Sequence, residues 1–431
     1  MKIAIKNIQI ADPERDGVYT GDMYVADGLL VPAMDSPDRV IAGEGLVLLP
    51  GLVDIHVHLR DPGQTHKEDI VSGAAAAAAG GVTSLIAMPN TLPPMDNPAL
   101  LREVLQRAAA APVRVYQAAC ITQGMKSRAL TDLAALAEAG AAAFSDDGLP
   151  VGPDALMEAA LRQAAVLGRP VLSHSEILAL AEGGKVNAGP VAAELGVKGM
   201  PAEAEYAAVQ REIGLSESTG CPVHICHVST AESVARIRAA KRRGVRVTCE
   251  TGPHYFWFTQ EAVRSGDADY RMNPPLRTEA DRQAVLDGLA DGTIDCIATD
   301  HAPHTPEEKA DFVSAPNGVI GLETSLSASY TALVEGGITD LCGLSRMMSA
   351  RPARIAGIGG GSLRPGAPAD LVLFDPVETW VVRPERLHGK SQNTPFKGIT
   401  LHGRVNYTIC RGRVVFDRNA ENGEGADQDV V

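Results

Sequence analysis

Two imidazoles one residue apart open the chemistry of this chain. The stretch "DIHVHLR" runs from Asp54 to Arg60 and carries His56, His58 and, just beyond them, Arg60. Residues two apart share a face of a strand but diverge on a helix. The spacing therefore predicts a strand that presents both rings to one point, with a guanidinium beside it. Neutral imidazole is a common zinc ligand, and zinc takes three or four ligands. Further donors recur at the trailing ends of later β-prone runs: His174 follows "PVLS", His224 and His227 lie in "PVHICHVS", and Asp300 ends "DCIATD". His224 and His227 are three apart and face opposite sides of a strand. His227, nearer the trailing end, is taken as the donor and His224 as a packed histidine. An Asp after a strand can also be a helix N-cap, but four histidines and an aspartate at matching positions of different runs point to a metal site. Five donors exceed one open tetrahedral zinc, so two metals are expected. Paired metals sit about 3.5–4 Å apart, and a carboxylate is the simplest bridge between them. "AAFSDDG" offers Asp146 or Asp147, adjacent residues of which only one should point inward.

These donors need a frame that gathers strand ends. Eight short β-prone runs stand out: 52–58, 84–90, 113–121, 142–147, 170–176, 222–229, 245–253 and 295–303. Alanine-rich segments with helical spacing separate them, such as "NPALLREVLQRAAAA" and "AESVARIRAAKRRG". The run "GAAAAAAGG" reads as a tightly packed helix. Alternating β and α units predict a parallel sheet, and eight of them in about 250 residues match a (β/α)8 TIM-like barrel. An open doubly wound sheet is disfavoured because no glycine fingerprint opens the first helix. The polar residues at the trailing ends, Asn90 and Glu250 among them, would then surround one barrel mouth. The barrel is expected over 50–358. The flanks, 1–49 and 359–417, hold short alternating strands and are expected to form one composite β-rich domain built from both termini. The acidic segment 418–431 reads as a disordered tail.

The 431-residue chain has a formal net charge of −14, which argues against nucleic-acid or anionic-membrane partners. Its seven cysteines show no CxxC spacing and sit mostly in apolar runs, so free buried thiols and a cytoplasmic, reducing location are expected. No apolar run approaches the roughly 20 residues that span a bilayer.

"DIHVHLRDPG" and "ATDHAPHTPEEK" (298–309) resemble the two signatures of the dihydroorotases, within the amidohydrolase superfamily. The likeness covers nearly the whole chain, including "SQNTPFKG" (391–398). Many relatives bridge their metals with a carboxylated lysine on the fourth strand. This chain has no lysine between Lys126 and Lys185. It is most similar to the bacterial type I group, where an aspartate stands there, at Asp147. The resemblance implies two Zn2+ ions, bridged by Asp147 and a hydroxide. His56, His58 and Asp300 would hold one ion, and His174 and His227 the other. It also implies Asp300 as general acid and base, and Arg60, Asn90, Asn273, His304, Asn317 and Gly318 as substrate contacts. Position 317 departs from the aromatic residue usual in the group. The implied activity is reversible hydrolysis of dihydroorotate to N-carbamoyl-L-aspartate in pyrimidine biosynthesis. Arg60, paired with the substrate carboxylate, would favour it over neutral rings. The stretch 305–318 is expected to be a mobile loop that closes over the substrate. Two other activities fit the signatures less closely: an allantoinase or hydantoinase-like cyclic amidase, and a non-catalytic subunit of an aspartate transcarbamoylase complex. That last class should lack some metal ligands. A homodimer and a transcarbamoylase partner are implied by resemblance only.

Overall fold

The computed structural model describes residues 1–423. Eight short strands carry the half of the molecule that bears the donor residues: Leu52–Val57, Val82–Ala87, Arg114–Ala119, Ala143–Phe144, Leu172–Ser173, Val223–Ile225, Val247–Thr251 and Cys296–Ile297. Each overlaps one of the eight expected runs. The first four pair in chain order as one parallel sheet and the last four as another. Single parallel bridges join Phe144 to Val171 and Val57 to His301, at the two seams between these sheets. The arrangement is (β/α)8-like.

Five of the helices between the strands start where a side chain can accept the orphan amides of the first turn. Asp69, Asn97, Asp132, Thr230 and Thr278 all do so. The alanine run forms the helix Ile70–Ala79, closed at Gly80. Its small residues allow close approach to the first strand. A Cβ on Gly73 would stand 2.4 Å from Leu59 Cδ2, so this helix packs directly on the residue that follows His58. Val104, Leu161, Ile213 and Ile237 continue the helical layer of the core. Truncating such a residue to Ala costs about 2–5 kcal/mol.

Strands from both ends of the chain form an eight-stranded sheet. Lys2–Ile10 pairs with Tyr19–Ala26, Arg39–Ala42 and Val47–Pro50; Val47–Pro50 in turn pairs with Leu371–Val381. Thr400–Cys410 and Arg413–Asp417 extend the sheet from there, and Leu29–Val31 closes its other edge. In the first strand Ile3 and Ile5 are buried, then Ile8 and Ile10. The alternation changes parity because a register shift falls between Ile5 and Ile8, with Asn7 at φ +53°. That irregularity keeps all four isoleucines on the core face.

All seven cysteines are free and buried. Among the described residues no helix is long and apolar enough to cross a membrane. The expectation of a disordered tail from residue 418 is corrected in part, because Arg418–Gly423 is helical. Arg418 pairs with Glu378 and donates to Asn406 Oδ1 at 2.7 Å. These polar anchors hold a turn that has no apolar periodicity to announce it. Residues 424–431 lie outside the described residues.

Candidate metal centre

His56, His58, Asp147, His174, His227 and Asp300 come together at the trailing ends of the strands. Asp147 sits at their centre. Its Oδ1 lies 3.3 Å from His56 Nε2, 3.4 Å from His174 Nδ1 and 3.8 Å from His227 Nε2, and its Oδ2 lies 3.4 Å from His58 Nε2. Asp300 Oδ1 approaches the first pair, 3.5 Å from His56 Nε2 and 3.1 Å from His58 Nε2. His174 Nδ1 and His227 Nε2 are 2.9 Å apart. His56, Asp147 and His227 form one compact donor triad, and His56, His58 and Asp300 another.

Neighbouring side chains set which ring nitrogen faces inward. Glu250 Oε1 takes His56 Nδ1 at 2.8 Å, Asn90 Oδ1 takes His58 Nδ1 at 2.8 Å, and Glu176 Oε2 takes His174 Nε2 at 2.8 Å. Each acceptor claims one N–H and leaves the opposite nitrogen with a free lone pair. All three freed nitrogens face Asp147. His56 Nε2 and Asp147 Oδ1 are buried, lie within 3.3 Å, and still have no hydrogen-bond partner. Their lone pairs converge on a common point, as ligands of a cation do. The residues present therefore fit a metal pair.

The electrostatics agree. Burial opposes a charge on His56, yet Asp147 and Asp300 outweigh it and raise its pKa well above the usual histidine value. Burial likewise works against His174, which the nearby Asp147 carboxylate and the bond to Glu176 carry up to about 10. Burial pushes Asp147 up, but the charge of His56 and the close imidazoles of His174 and His227 hold it well below the usual carboxylate range. The cluster is a buried sink for positive charge, supplied by protons or by divalent cations. Two further donor groups, built around Glu250 with Cys226 or with His224 and Cys296, lie nearby. Glu250 is already committed there: it bonds His56 and, at 3.2 Å, His224 Nε2. Burial raises the Cys226 and Cys296 thiols, so both stay protonated. His224 also meets Thr248 Oγ1 at 2.9 Å and packs as a structural histidine.

The adjacent aspartates separate cleanly. Asp146 turns away and accepts the amides of Ile121 at 2.8 Å and Thr122 at 3.1 Å; only Asp147 faces the imidazoles. Arg60, His227 and Asp300 hold φ of +59°, +37° and +47°. Non-glycine residues there cost about 1–3 kcal/mol each and persist only where the surroundings hold them.

A cavity of about 210 Å³ opens over the donors and is lined by Arg60, Asn90, Asn273, His304, Asn317 and Gly318. Arg60 donates through Nε to Pro303 O at 3.2 Å and approaches His304 Nε2 through Nη2 at 3.3 Å. Burial and the charges of Arg60, Lys67 and Lys309 push the His304 pKa down to about 3, so its ring is neutral. Asn273 Nδ2 donates to Glu176 at 2.7 Å, while its buried Oδ1 has no partner. Two side chains expected to meet substrate also bond protein. Asn90 Oδ1 holds His58, and Asn317 Oδ1 accepts from Arg271 Nη2 at 2.9 Å; the carbonyl of Asn317 takes His304 Nε2 at 2.9 Å.

The stretch 305–318, expected to be mobile, is pinned from below. Lys309 Nζ donates to the carbonyls of Ala268, Arg271 and Pro316 at 3.0, 3.2 and 3.0 Å. The buried Arg271 donates to Phe312 O and Val313 O at 2.5 and 3.1 Å. Neither anchor, nor the orienting role of Glu250, was assigned from the sequence. Glu250 did carry a signal, as a carboxylate at a strand's trailing end.

The chain is similar over nearly its whole length to curated proteins named dihydroorotase. The one from Citrifermentans bemidjiense is 48% identical over 423 residues, covering 96% of this chain and 100% of the relative. That from Syntrophus aciditrophicus is 45% identical over 427 residues, covering 97% and 100%. A family described as dihydro-orotase-like matches residues 45–233, and an amidohydrolase family matches 342–416. Among solved structures, the L-hydantoinase (dihydropyrimidinase) from Arthrobacter aurescens superposes with a TM-score of 0.87 at 26% identity, covering 96% of each chain. The dihydropyrimidinase from Brevibacillus agri gives 0.83 at 24%, covering 97% of this chain and 95% of that one, a likeness of fold.

Proposed function

Since the chain belongs to the dihydroorotase family of amidohydrolases, we propose that its barrel mouth opens the ring of dihydroorotate to N-carbamoyl-L-aspartate and closes it again in reverse. The observation that carries this is the set of three oriented imidazoles, His56, His58 and His174, whose free nitrogens all face Asp147. His56, His58 and Asp300 would hold one cation, His174 and His227 the other, with Asp147 between them. The imidazole-rich donor set suits zinc. Such a pair, when bound, supplies Lewis acidity that acidifies water and polarises the scissile carbonyl.

The chain's own residues do the rest. Asp300 takes the proton of the attacking water and returns it to the departing ring nitrogen; in the reverse direction it takes that nitrogen's proton. Arg60, held at Nε by Pro303 O, turns its outer nitrogens toward the substrate carboxylate. The neutral His304 and the unpartnered Oδ1 of Asn273 complete the polar wall that fixes the ring. Asn90 acts chiefly by orienting His58. Asn317 and Gly318 contribute backbone to the same wall. We also take the two four-stranded sheets as halves of one closed barrel over 50–358, and 1–49 with 359–417 as one composite domain. Two metals per subunit, a homodimer, a transcarbamoylase partner and a cytoplasmic location belong to the same proposal.

The structural likeness to hydantoinases makes a neutral cyclic amide the second candidate substrate. Arg60 discriminates: its guanidinium has a role only with a carboxylate-bearing ring. Purified protein should bind two equivalents of zinc and turn over dihydroorotate in preference to hydantoin and allantoin. Equal or faster hydrolysis of either neutral ring, with dihydroorotate untouched, would overturn the assignment.

A further inference from the structure

The segment "SQNTPFKG" (391–398) lies outside every barrel strand, yet Asn393 reaches the substrate wall. Asn393 is buried. Its Nδ2 donates to Ala302 O at 3.1 Å and to Gly318 O at 3.0 Å, and its Oδ1 accepts from His304 N at 3.1 Å. Its own carbonyl accepts from Ile320 N at 3.0 Å. The two chains it grips run side by side: Ala302 N donates to Val319 O at 2.8 Å. One carboxamide thus ties the segment leaving Asp300 to the segment that brings the chain back past the cavity.

The chemistry of this position is exacting. Two acceptors and one donor must be met by one short side chain, and only a carboxamide offers two N–H groups and one acceptor in a plane. An aspartate would set a carboxylate against two carbonyls. A leucine would leave three buried backbone groups unmet. The grip ends beside the imidazole: a Cβ on Gly318, at φ +135°, would lie 2.9 Å from Ala302 O and 3.1 Å from His304 Nε2. The backbone at 302, 304 and 318 therefore sets where the His304 ring stands opposite Arg60.

We propose that Asn393 is a positioning residue for substrate binding: its carboxamide fixes Ala302, His304 and Gly318 and so places the His304 imidazole against the substrate. It rests on the dihydroorotate assignment for what is bound, but not for where the ring stands. His304 faces the substrate's anchoring end, so misplacing it weakens ground state and transition state alike and raises KM with little change in kcat.

The test compares Asn393→Asp and Asn393→Ser, alone and with His304→Ala, in the full-length zinc-loaded protein. KM for dihydroorotate should rise about tenfold in Asn393→Asp, while kcat changes by less than about threefold. Metal content should stay at the wild-type value. In the His304→Ala background the same change should add less than about twofold, because the residue it acts through is gone. Asn393→Ser, a gentler change, keeps the comparison available if the aspartate variant does not fold. A crystal structure of either variant should show the His304 ring displaced. An unchanged KM, full additivity with His304→Ala, or a ring in its wild-type place would each overturn the proposal. If the wild type fails to turn over dihydroorotate, only the functional assignment falls, since the crystallographic arm still decides whether Asn393 places His304.

Discussion

The donor cluster and the substrate wall share one cavity but are built in opposite ways. The donors stand at strand ends, and the imidazoles of His56, His58 and His174 are each turned by a single side chain: Glu250 and Asn90 from the ends of other strands, and Glu176 two residues on from its histidine. The wall, His304 to Gly318, is loop. Buried side chains hold its backbone: Arg271 and Asn393 from distant segments, and Lys309 from within the loop, tying it to Ala268 and Arg271. A metal ligand must be aimed to a fraction of an ångström, and a strand with a side-chain acceptor does that. A surface that grips an anionic ring needs its amides and carbonyls satisfied as a unit. The first arrangement fails one ligand at a time; the second shifts together.

Substitutions can break that contrast or sharpen it, beginning with the largest effect. Asp300→Asn keeps the shape but removes the proton acceptor of the proposed reaction, and kcat should then fall by about 10²- to 10⁴-fold. Metal content measured on the same sample separates loss of the base from loss of the ion. Glu250→Ala removes the acceptor and leaves His56 free to turn, and zinc affinity should drop by about 10- to 100-fold, read by competition with a chelator. If affinity held, orientation by one acceptor would not be what aims the donors. Arg60→Lys replaces a fork with a point charge. Losing a charge-assisted hydrogen bond costs about 1.5–3 kcal/mol, so KM for dihydroorotate should rise tenfold or more while metal content is unchanged.

The last effect lies in pH. The folded pKa of His304 is about 3 against an ordinary 6.5, because of burial and the nearby charges of Arg60, Lys67 and Lys309. Between those values the unfolded chain binds the extra proton, so stability rises with pH across that window and is lost on acidification. The slope is at most about 1.4 kcal/mol per pH unit. His304→Gln should flatten the wild-type dependence between about pH 6.5 and 3 in denaturant titrations. Identical slopes would mean that His304 is not held neutral by the wall.

The same contrast governs what could be read from the sequence. His56, His58, His174, His227 and Asp300 were legible because strand alternation and the β-α rhythm put polar residues at matching ends. The choice between Asp146 and Asp147 was not legible from alternation alone. Neighbouring residues face opposite sides, and strand phase there depends on the amides of Ile121 and Thr122 that Asp146 accepts. Glu250 was visible as a polar strand end but not as a partner of His56, 194 residues away in sequence. Lys309, Arg271 and Asn393 sit in segments with no periodicity, where tertiary contacts alone set the path. The helix at 418–423 was missed for the same reason: its hold on Glu378 and Asn406 is polar and distant.

The central claim is that six side chains between residues 56 and 300 grip two cations. Anomalous diffraction at the zinc edge from crystals of the metal-loaded protein tests it most directly. Two peaks should flank Asp147, one among His56, His58 and Asp300, the other between His174 and His227. A single peak, or density centred on Glu250 with Cys226 or Cys296, would contradict it.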